Sequence, residues 1–257
     1  MKKIIHKGTA PKGLFVPLVT PFHDDESIDY KAYKTIIDYV IDGGMDGVLV
    51  GGSTGEYHMM SLEERKELIK KGCKIVNGRV PIVAGTGEST AKATIALTNY
   101  AADCGAKWGL VLPPYYQQTT EEGIYDFFKE VAKGSKIGII VYHTPGATNV
   151  EISPAMVRRL ALIDNIVAVK ETIDETHTSA SYMATYDIPN FCIMEANEPL
   201  LIPSYAIGID AAFSIIFNLL PREMRQMYDL VFKDNNIAAA RELNKKLSPL
   251  FAMMEAE

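Results

Sequence analysis

The chain has 257 residues, of which 47% are hydrophobic and 23% are charged, so it can bury a large apolar core as a single domain. Its formal net charge of −6 argues against a nucleic-acid partner, which would require a basic face. No apolar segment approaches the roughly 20 residues that cross a bilayer. The N-terminal residues also lack the apolar core of a signal peptide. We therefore expect no membrane partner and a cytoplasmic location.

The cysteines and histidines lack the spacing of a metal site or a disulfide framework. The three cysteines are odd in number and form no Cys-x-x-Cys pair: Cys73, Cys104 and Cys192. The five histidines are scattered without ligand spacing: His6, His23, His58, His143 and His177. The sequence therefore predicts reduced cysteines, no metal and no cofactor.

Short apolar runs bounded by glycine or proline alternate with longer segments of helical periodicity. The eight apolar runs are Gly13–Thr20, Gly47–Gly52, Pro81–Gly85, Trp108–Pro113, Lys136–Tyr142, Asn165–Lys170, Phe191–Glu195 and Asp210–Ile215. The helical segments are Tyr30–Asp42, Ser61–Asn77, Thr90–Cys104, Thr120–Lys133, Ser153–Leu160, Ser179–Tyr186, Pro199–Ile207 and Pro221–Asp234, with a further helix in Asn235–Glu257.

Near-continuous runs of Val, Ile and Leu are typical of parallel strands that are buried on both faces. Eight strand–helix units predict an α/β fold, a (β/α)₈ TIM barrel, with a doubly wound open sheet as the alternative. We assign residues 1–234 to a barrel catalytic domain. Residues 235–257 read as the start of a short C-terminal helical extension that is reduced or incomplete.

Lys170 is the most informative residue, because it ends an apolar strand where a TIM barrel places its active site. Burial disfavours the charged form of an amine, and a neutral amine is the nucleophile that forms imines with carbonyl compounds. The alternative is a lysine that extends to solvent or pairs with Glu171. Tyr142 ends the neighbouring strand and could relay protons, although a packing aromatic is the plainer interpretation.

The glycine-rich turn Gly51–Glu56 follows the second strand and could hold an anion through backbone N–H groups. It lacks the lysine of a P-loop and does not fit G-x-G-x-x-G, so nucleotide binding is not indicated. A pyruvate carboxylate, bound by the hydroxyls of Ser53 and Thr54, is a better-sized ligand. Tyr115 and Tyr116 follow two prolines and read either as an exposed loop or as rings that reach a neighbouring subunit.

Five short motifs occur along the chain in the order typical of one enzyme family: VPLVTPF (16–22), GGSTGE (51–56), AGTGE (84–88), PPYY (113–116) and VAVKE (167–171). From Gly13 onward the chain resembles the dihydrodipicolinate synthase / N-acetylneuraminate lyase family of class I pyruvate aldolases. The resemblance implies a (β/α)₈ barrel and a Schiff base between Lys170 and pyruvate. It also implies a homo-oligomer, commonly a tetramer built as a dimer of dimers.

The resemblance assigns further roles residue by residue. Tyr142 would shuttle protons, Ser53 would order it, and Tyr116 would complete the relay from the adjacent subunit. Ser53 and Thr54 would bind the pyruvate carboxylate. Thr172, Glu198 and Ser214 stand where sialic-acid lyases contact a polyhydroxylated aldehyde.

The departures from the family pattern concern the second substrate. Synthases that use aspartate semialdehyde carry an arginine at the position of Ala147, and a methyl group cannot pair with a carboxylate. His143 replaces the usual asparagine, and Glu195–Glu198 lacks the usual glycine. We therefore expect cleavage or formation of a 2-oxo sugar acid. The alternatives are 4-hydroxy-tetrahydrodipicolinate synthase and a catalytically quiet paralogue that binds a 2-oxo acid.

Overall fold

The computed structural model describes residues 8–117 and 119–254. The absence of a signal peptide was predicted from a segment that lies largely outside these residues. The eight strands are β1 (Gly13–Pro17), β2 (Gly47–Val50), β3 (Ile82–Gly85), β4 (Trp108–Val111), β5 (Gly138–His143), β6 (Ile166–Glu171), β7 (Cys192–Glu195) and β8 (Ala211–Phe213). Each predicted apolar run coincides with one of them, although β5 and β6 each extend one residue beyond the predicted run, to His143 and Glu171.

The strands form one closed barrel in chain order, and every neighbouring pair is parallel. The circle closes where Gly13 of β1 pairs with Ala211 of β8. The predicted (β/α)₈ barrel is confirmed, and the open-sheet alternative is wrong. In such a barrel the carboxyl ends of all strands meet at one mouth, so residues distant in sequence become neighbours there.

Helices connect the strands at nearly every predicted position. They are α1 (Tyr30–Asp42), α2 (Leu62–Val76), α3 (Ala91–Cys104), α4 (Glu121–Gly134), α5 (Pro145–Thr148), α6 (Pro154–Ala161), α7 (Glu175–Thr185), α8 (Leu201–Ile207), α9 (Pro221–Phe232) and α10 (Ile237–Met254). The capping box at Ser61 and Glu64 is present. Helix α7 begins earlier than predicted because Asp174 accepts a capping hydrogen bond from the His177 backbone. The one-turn helix α5 was not predicted.

The barrel interior is filled by large apolar side chains. Phe15 is fully buried and packs edge-on against Trp108, with ring centres 5.7 Å apart, and against Phe213 at 5.5 Å. Because side chains alternate along a strand, each inward residue has an outward neighbour. Tyr142 belongs to this interior cluster, so the next residue, His143, faces the surrounding helices.

The last helix, α10, packs on the outside of the barrel. Its Ala240 and Phe251 are buried in the same apolar cluster as Tyr205 of α8 and Met227 of α9. The predicted division at residue 234 stays a prediction. Among the described residues, no helix is long and apolar enough to span a membrane.

Phe15→Ala should lower the free energy of unfolding by about 3–5 kcal/mol, because it leaves a cavity between Trp108 and Phe213. Urea denaturation followed by circular dichroism measures the change. Phe22→Ala is the matched control, because Phe22 is 38% exposed and should cost well under half as much. Equal losses in the two variants would contradict the interior packing described here.

Candidate active site

Lys170 lies at the carboxyl end of β6 and points into the barrel mouth. Its side chain is only 7% exposed. Its Nζ lies 4.0 Å from the centre of the Tyr142 ring and 5.4 Å from that of Phe213. The amine is therefore surrounded by aromatic rings rather than by bulk water, as an imine-forming lysine requires.

Tyr142 pairs directly with Lys170 across β5 and β6. Burial by itself raises the pKa of its phenol. That effect is outweighed by the charge of Lys170 and by hydrogen bonding with Ser53, Lys170 and Thr144, so the pKa of Tyr142 lies below its ordinary value. A phenol with a lowered pKa gives up and regains its proton more readily near neutral pH.

The glycine-rich turn after β2 brings Ser53 and Thr54 to the same mouth. Gly51 has a φ of +69°, which favours glycine, and a Cβ on Gly85 of β3 would lie 1.9 Å from the Gly51 carbonyl oxygen. The two glycines let the turn cross closely over β3. Ser53 and Thr54 thereby line a cavity of about 210 Å³ together with Tyr142 and Lys170.

A second cavity, of about 310 Å³, adjoins the first and shares Ser53 with it. We call it the outer cavity. Its lining residues are Ser53, Tyr57, His58, Leu112, Tyr115, Thr144, Ala147 and Thr148. Because Ala147 stands where related synthases have an arginine, these lining residues include no guanidinium group. His58 has the only basic side chain among them.

The three residues expected to contact sugar hydroxyls use polar atoms for internal hydrogen bonds. Thr172 Oγ1 donates to the His143 carbonyl at 2.9 Å. Ser214 Oγ donates to Glu198 Oε1 at 2.6 Å, and the Ile215 N–H donates to the same oxygen at 2.9 Å. Thr172 and Ser214 line the Lys170 cavity, whereas Glu198 lines neither cavity. Glu198 therefore holds the turn that follows β8.

Tyr116 is set apart from the other predicted site residues. Its side chain is 87% exposed, whereas Tyr115 lines the outer cavity. The single chain brings together Lys170, Tyr142, Ser53 and Thr54, but not Tyr116. A role for Tyr116 in this site would need a second chain.

Sequence reasoning missed a buried polar cluster on the outer face of β5, β6 and β7. His143 Nδ1 lies 2.6 Å from Glu171 Oε2, and His177 Nε2 lies 3.8 Å from Glu171 Oε1. On β7, burial raises the pKa of Glu195 to about 7, and the charge of its strand partner Glu171 adds to this rise. The sequence did carry a signal for this cluster: a polar residue directly follows Tyr142 and another directly follows Lys170. Because side chains alternate along a strand, these two residues must face outward.

Three residues of this cluster each offer one possible metal-ligand atom, and these atoms lie within 4.8 Å of one another: His143, Glu171 and His177. However, the Ile152 N–H donates to His143 Nε2 at 3.0 Å, so the proton of a neutral His143 is on Nδ1. A nitrogen that carries a proton cannot bind a metal. The predicted absence of a metal and of a cofactor stays a prediction.

Lys170→Met should raise the pKa of Tyr142, because the cation that favours the phenolate is removed. Absorbance titration of the phenolate band measures this, with Tyr142→Phe in each background to isolate the Tyr142 signal. Lys136→Met is the control, because Lys136 is exposed and pairs with Asp103. A Tyr142 pKa that is unchanged or lower in Lys170→Met would contradict the assigned electrostatics.

Comparison with known proteins identifies the family. Residues 10–257 match the family model described as the dihydrodipicolinate synthetase family. A 4-hydroxy-tetrahydrodipicolinate synthase of Methanothrix thermoacetophila is 36% identical over 247 residues, which cover 96% of this chain and 82% of that protein.

Two solved structures share the fold closely. A monomeric dihydrodipicolinate synthase variant is 28% identical with a TM-score of 0.92, covering 98% of this chain and 85% of that one. A prophage protein of the dihydrodipicolinic acid synthase family from E. coli K12, in complex with pyruvate, is 28% identical with a TM-score of 0.91, covering 96% and 83%. The chain belongs to the dihydrodipicolinate synthetase family and is a carbon–carbon lyase of the Schiff-base pyruvate aldolase type.

Proposed function

We propose that Lys170 forms the Schiff base with pyruvate and that the enzyme condenses this pyruvate with aspartate semialdehyde. One observation carries the proposal: the Lys170 amine is buried beside Tyr142 in a cavity that Ser53 and Thr54 also line. A cavity of about 210 Å³ suits a three-carbon 2-oxo acid. The hydroxyls of Ser53 and Thr54 would hold its carboxylate.

The first step is addition of the neutral Lys170 amine to the ketone carbon of pyruvate. The carbinolamine hydroxyl takes up one proton and leaves as water, which gives an iminium ion, and departure of a methyl proton then gives the enamine. Tyr142 would carry protons in these steps, with Ser53 and Thr144 ordering its hydroxyl.

In the second half, the enamine carbon attacks the aldehyde carbon and forms the new carbon–carbon bond. The aldehyde oxygen takes up one proton from the Tyr142 phenol and becomes a hydroxyl group. Water, or an amine of the product, then displaces Lys170 and regenerates the free amine. In the cleavage direction Tyr142 would accept the hydroxyl proton instead.

Two observations favour aspartate semialdehyde as the aldehyde. The Methanothrix relative is named for the synthase reaction, at 36% identity. In addition, internal hydrogen bonds already occupy polar atoms of Thr172, Ser214 and Glu198. This weakens the expectation of a polyhydroxylated substrate. The outer cavity would take the aldehyde, and His58 is the side chain there that could meet its carboxylate.

A 2-oxo sugar acid is the second candidate. Ala147 favours it, because this residue offers no charge to a carboxylate in the outer cavity. Thr172 and Ser214 also line the Lys170 cavity and could exchange internal hydrogen bonds for substrate hydroxyls. The two candidates differ in the aldehyde only, and both use the same Lys170 and Tyr142 chemistry.

We further propose that the enzyme works as a homo-oligomer in which Tyr116 of one chain completes the proton relay of another. The exposure of Tyr116 supports this, since an aromatic ring left 87% in solvent is available to a partner. One solved relative is described as a monomeric dihydrodipicolinate synthase variant, so a monomer is the alternative. A tetramer, like the cytoplasmic location, stays a prediction.

Tyr142→Phe should retain pyruvate imine formation and lose about 10²–10⁴-fold in kcat, because the positioned proton carrier is gone. Borohydride reduction with pyruvate, followed by peptide mass mapping, measures the imine on Lys170. Lys170→Met should trap nothing. Unchanged turnover in Tyr142→Phe would remove this tyrosine from the mechanism, and a pyruvate adduct elsewhere in the wild type would reject Lys170.

The purified enzyme should condense pyruvate with aspartate semialdehyde at a higher kcat/KM than it cleaves any 2-oxo sugar acid. A panel of sialic and deoxy-gluconic acids, assayed through released pyruvate, provides the comparison. His58→Gln should raise the KM for aspartate semialdehyde and leave that for pyruvate unchanged. Preference for a sugar acid would instead establish the second candidate, and trapping without any turnover would contradict both.

A further inference from the structure

His143 lies directly behind the active site and has no part in the chemistry described above. It is fully buried on the outer face of β5, whereas the neighbouring residue Tyr142 faces into the barrel. Three residues from two segments contact its polar atoms. Glu171 on β6, Ile152 before α6 and Thr172 after β6 each make a hydrogen bond to it.

The hydrogen bonds fix the protonation state of His143. The Ile152 N–H donates to Nε2, which must therefore act as an acceptor. The proton of the ring then sits on Nδ1 and is donated to Glu171 Oε2. A second proton on Nε2 would point at the Ile152 N–H, so the geometry favours neutral His143.

The other polar groups around the cluster do not replace these contacts. His177 of α7 approaches Glu171 Oε1 only to 3.8 Å, and both atoms lack a hydrogen-bond partner among the described residues. Glu195 of β7 binds Ser204 and two backbone N–H groups instead. Thr178 and Ser181 of α7 bring hydroxyls without a described partner. The Nδ1–H of His143 is thus the one described hydrogen bond of the Glu171 carboxylate.

The bond to Ile152 closes the loop formed by residues 144–152. This loop carries the one-turn helix α5, and three of its residues line the outer cavity: Thr144, Ala147 and Thr148. Thr148 Oγ1 also donates to the Thr144 carbonyl, which stiffens the turn. One end of the loop leaves β5 at His143, and the other returns to the His143 ring at Ile152.

We propose that His143 is a positioning residue for the aldehyde substrate: as a neutral bridge between Glu171 and Ile152, it fixes loop 144–152 at the wall of the outer cavity. It exchanges no proton with substrate. The inference rests on the proposed function in taking this cavity as the aldehyde site. Pyruvate would be held by Ser53 and Thr54 in the turn after β2, and His143 does not line that cavity.

The protonation state can be tested without activity. Long-range ¹H–¹⁵N correlation spectra of the wild-type protein should show the His143 ring, identified by its loss in His143→Asn, with a protonated Nδ1 and a bare Nε2. A proton on Nε2, or a doubly protonated ring at neutral pH, would overturn the assignment.

The positioning role can be tested by kinetics. His143→Leu, which keeps an apolar volume but no hydrogen bond, should raise the KM for the aldehyde roughly tenfold, because the loop is no longer fixed. The KM for pyruvate and the yield of trapped imine should stay within about twofold of the wild type. His143→Asn, which keeps a donor and an acceptor, should show a KM for the aldehyde between those of the wild type and His143→Leu. If the leucine variant does not fold, the KM values of His143→Asn are compared with those of the wild type instead.

His177→Leu is the matched control, because it removes a histidine from the same cluster but no hydrogen bond to the loop. Its two KM values should equal those of the wild type. Equal changes in both KM values for His143→Leu, or loss of one ionisation from its pH profile of kcat/KM, would overturn the positioning role. Failure of the wild type to trap pyruvate would reject the proposed function alone, and the spectra would still decide the state of His143.

Discussion

The site depends on the burial of one amine against one phenol. Lys170 and Tyr142 end neighbouring strands in direct register, so their side chains enter the barrel mouth side by side. Burial raises the pKa of the Tyr142 phenol, but the charge of Lys170 and hydrogen bonding with Ser53, Lys170 and Thr144 outweigh this effect, so the pKa lies below its ordinary value.

The strand alternation divides polar groups between two layers. Inward residues Tyr142 and Lys170 serve the cavity, while the outward neighbours His143 and Glu171 bind each other behind it. A single register between β5 and β6 thus sets both pairs, and a shift by one residue would exchange them. Neither His143 nor Glu171 lines either of the two cavities.

The proposed function assigns the imine chemistry and the choice of aldehyde to different parts of the mouth. Lys170, Tyr142, Ser53 and Thr54 line one cavity, and the residues that depart from the family pattern, Ala147 and His143, belong to the wall of the other or to its support. Under the proposed function, substitutions in the loop after β5 should change the aldehyde without disturbing imine formation. This separation agrees with a fold whose activities vary through its loops.

The sequence by itself determined the barrel, because eight apolar runs separated by amphipathic helices leave few other ways to bury both faces of the strands. It also singled out Lys170, Tyr142, Ser53 and Thr54 as candidates, through their positions at the ends of strands and their match to the family motifs. Only the tertiary structure decided that Glu198 accepts a hydrogen bond from Ser214 in the turn after β8. It also decided that His143 bonds to both Glu171 and Ile152. Those partners lie 16, 28 and 9 residues apart, and no periodicity encodes which outward side chain will find which donor.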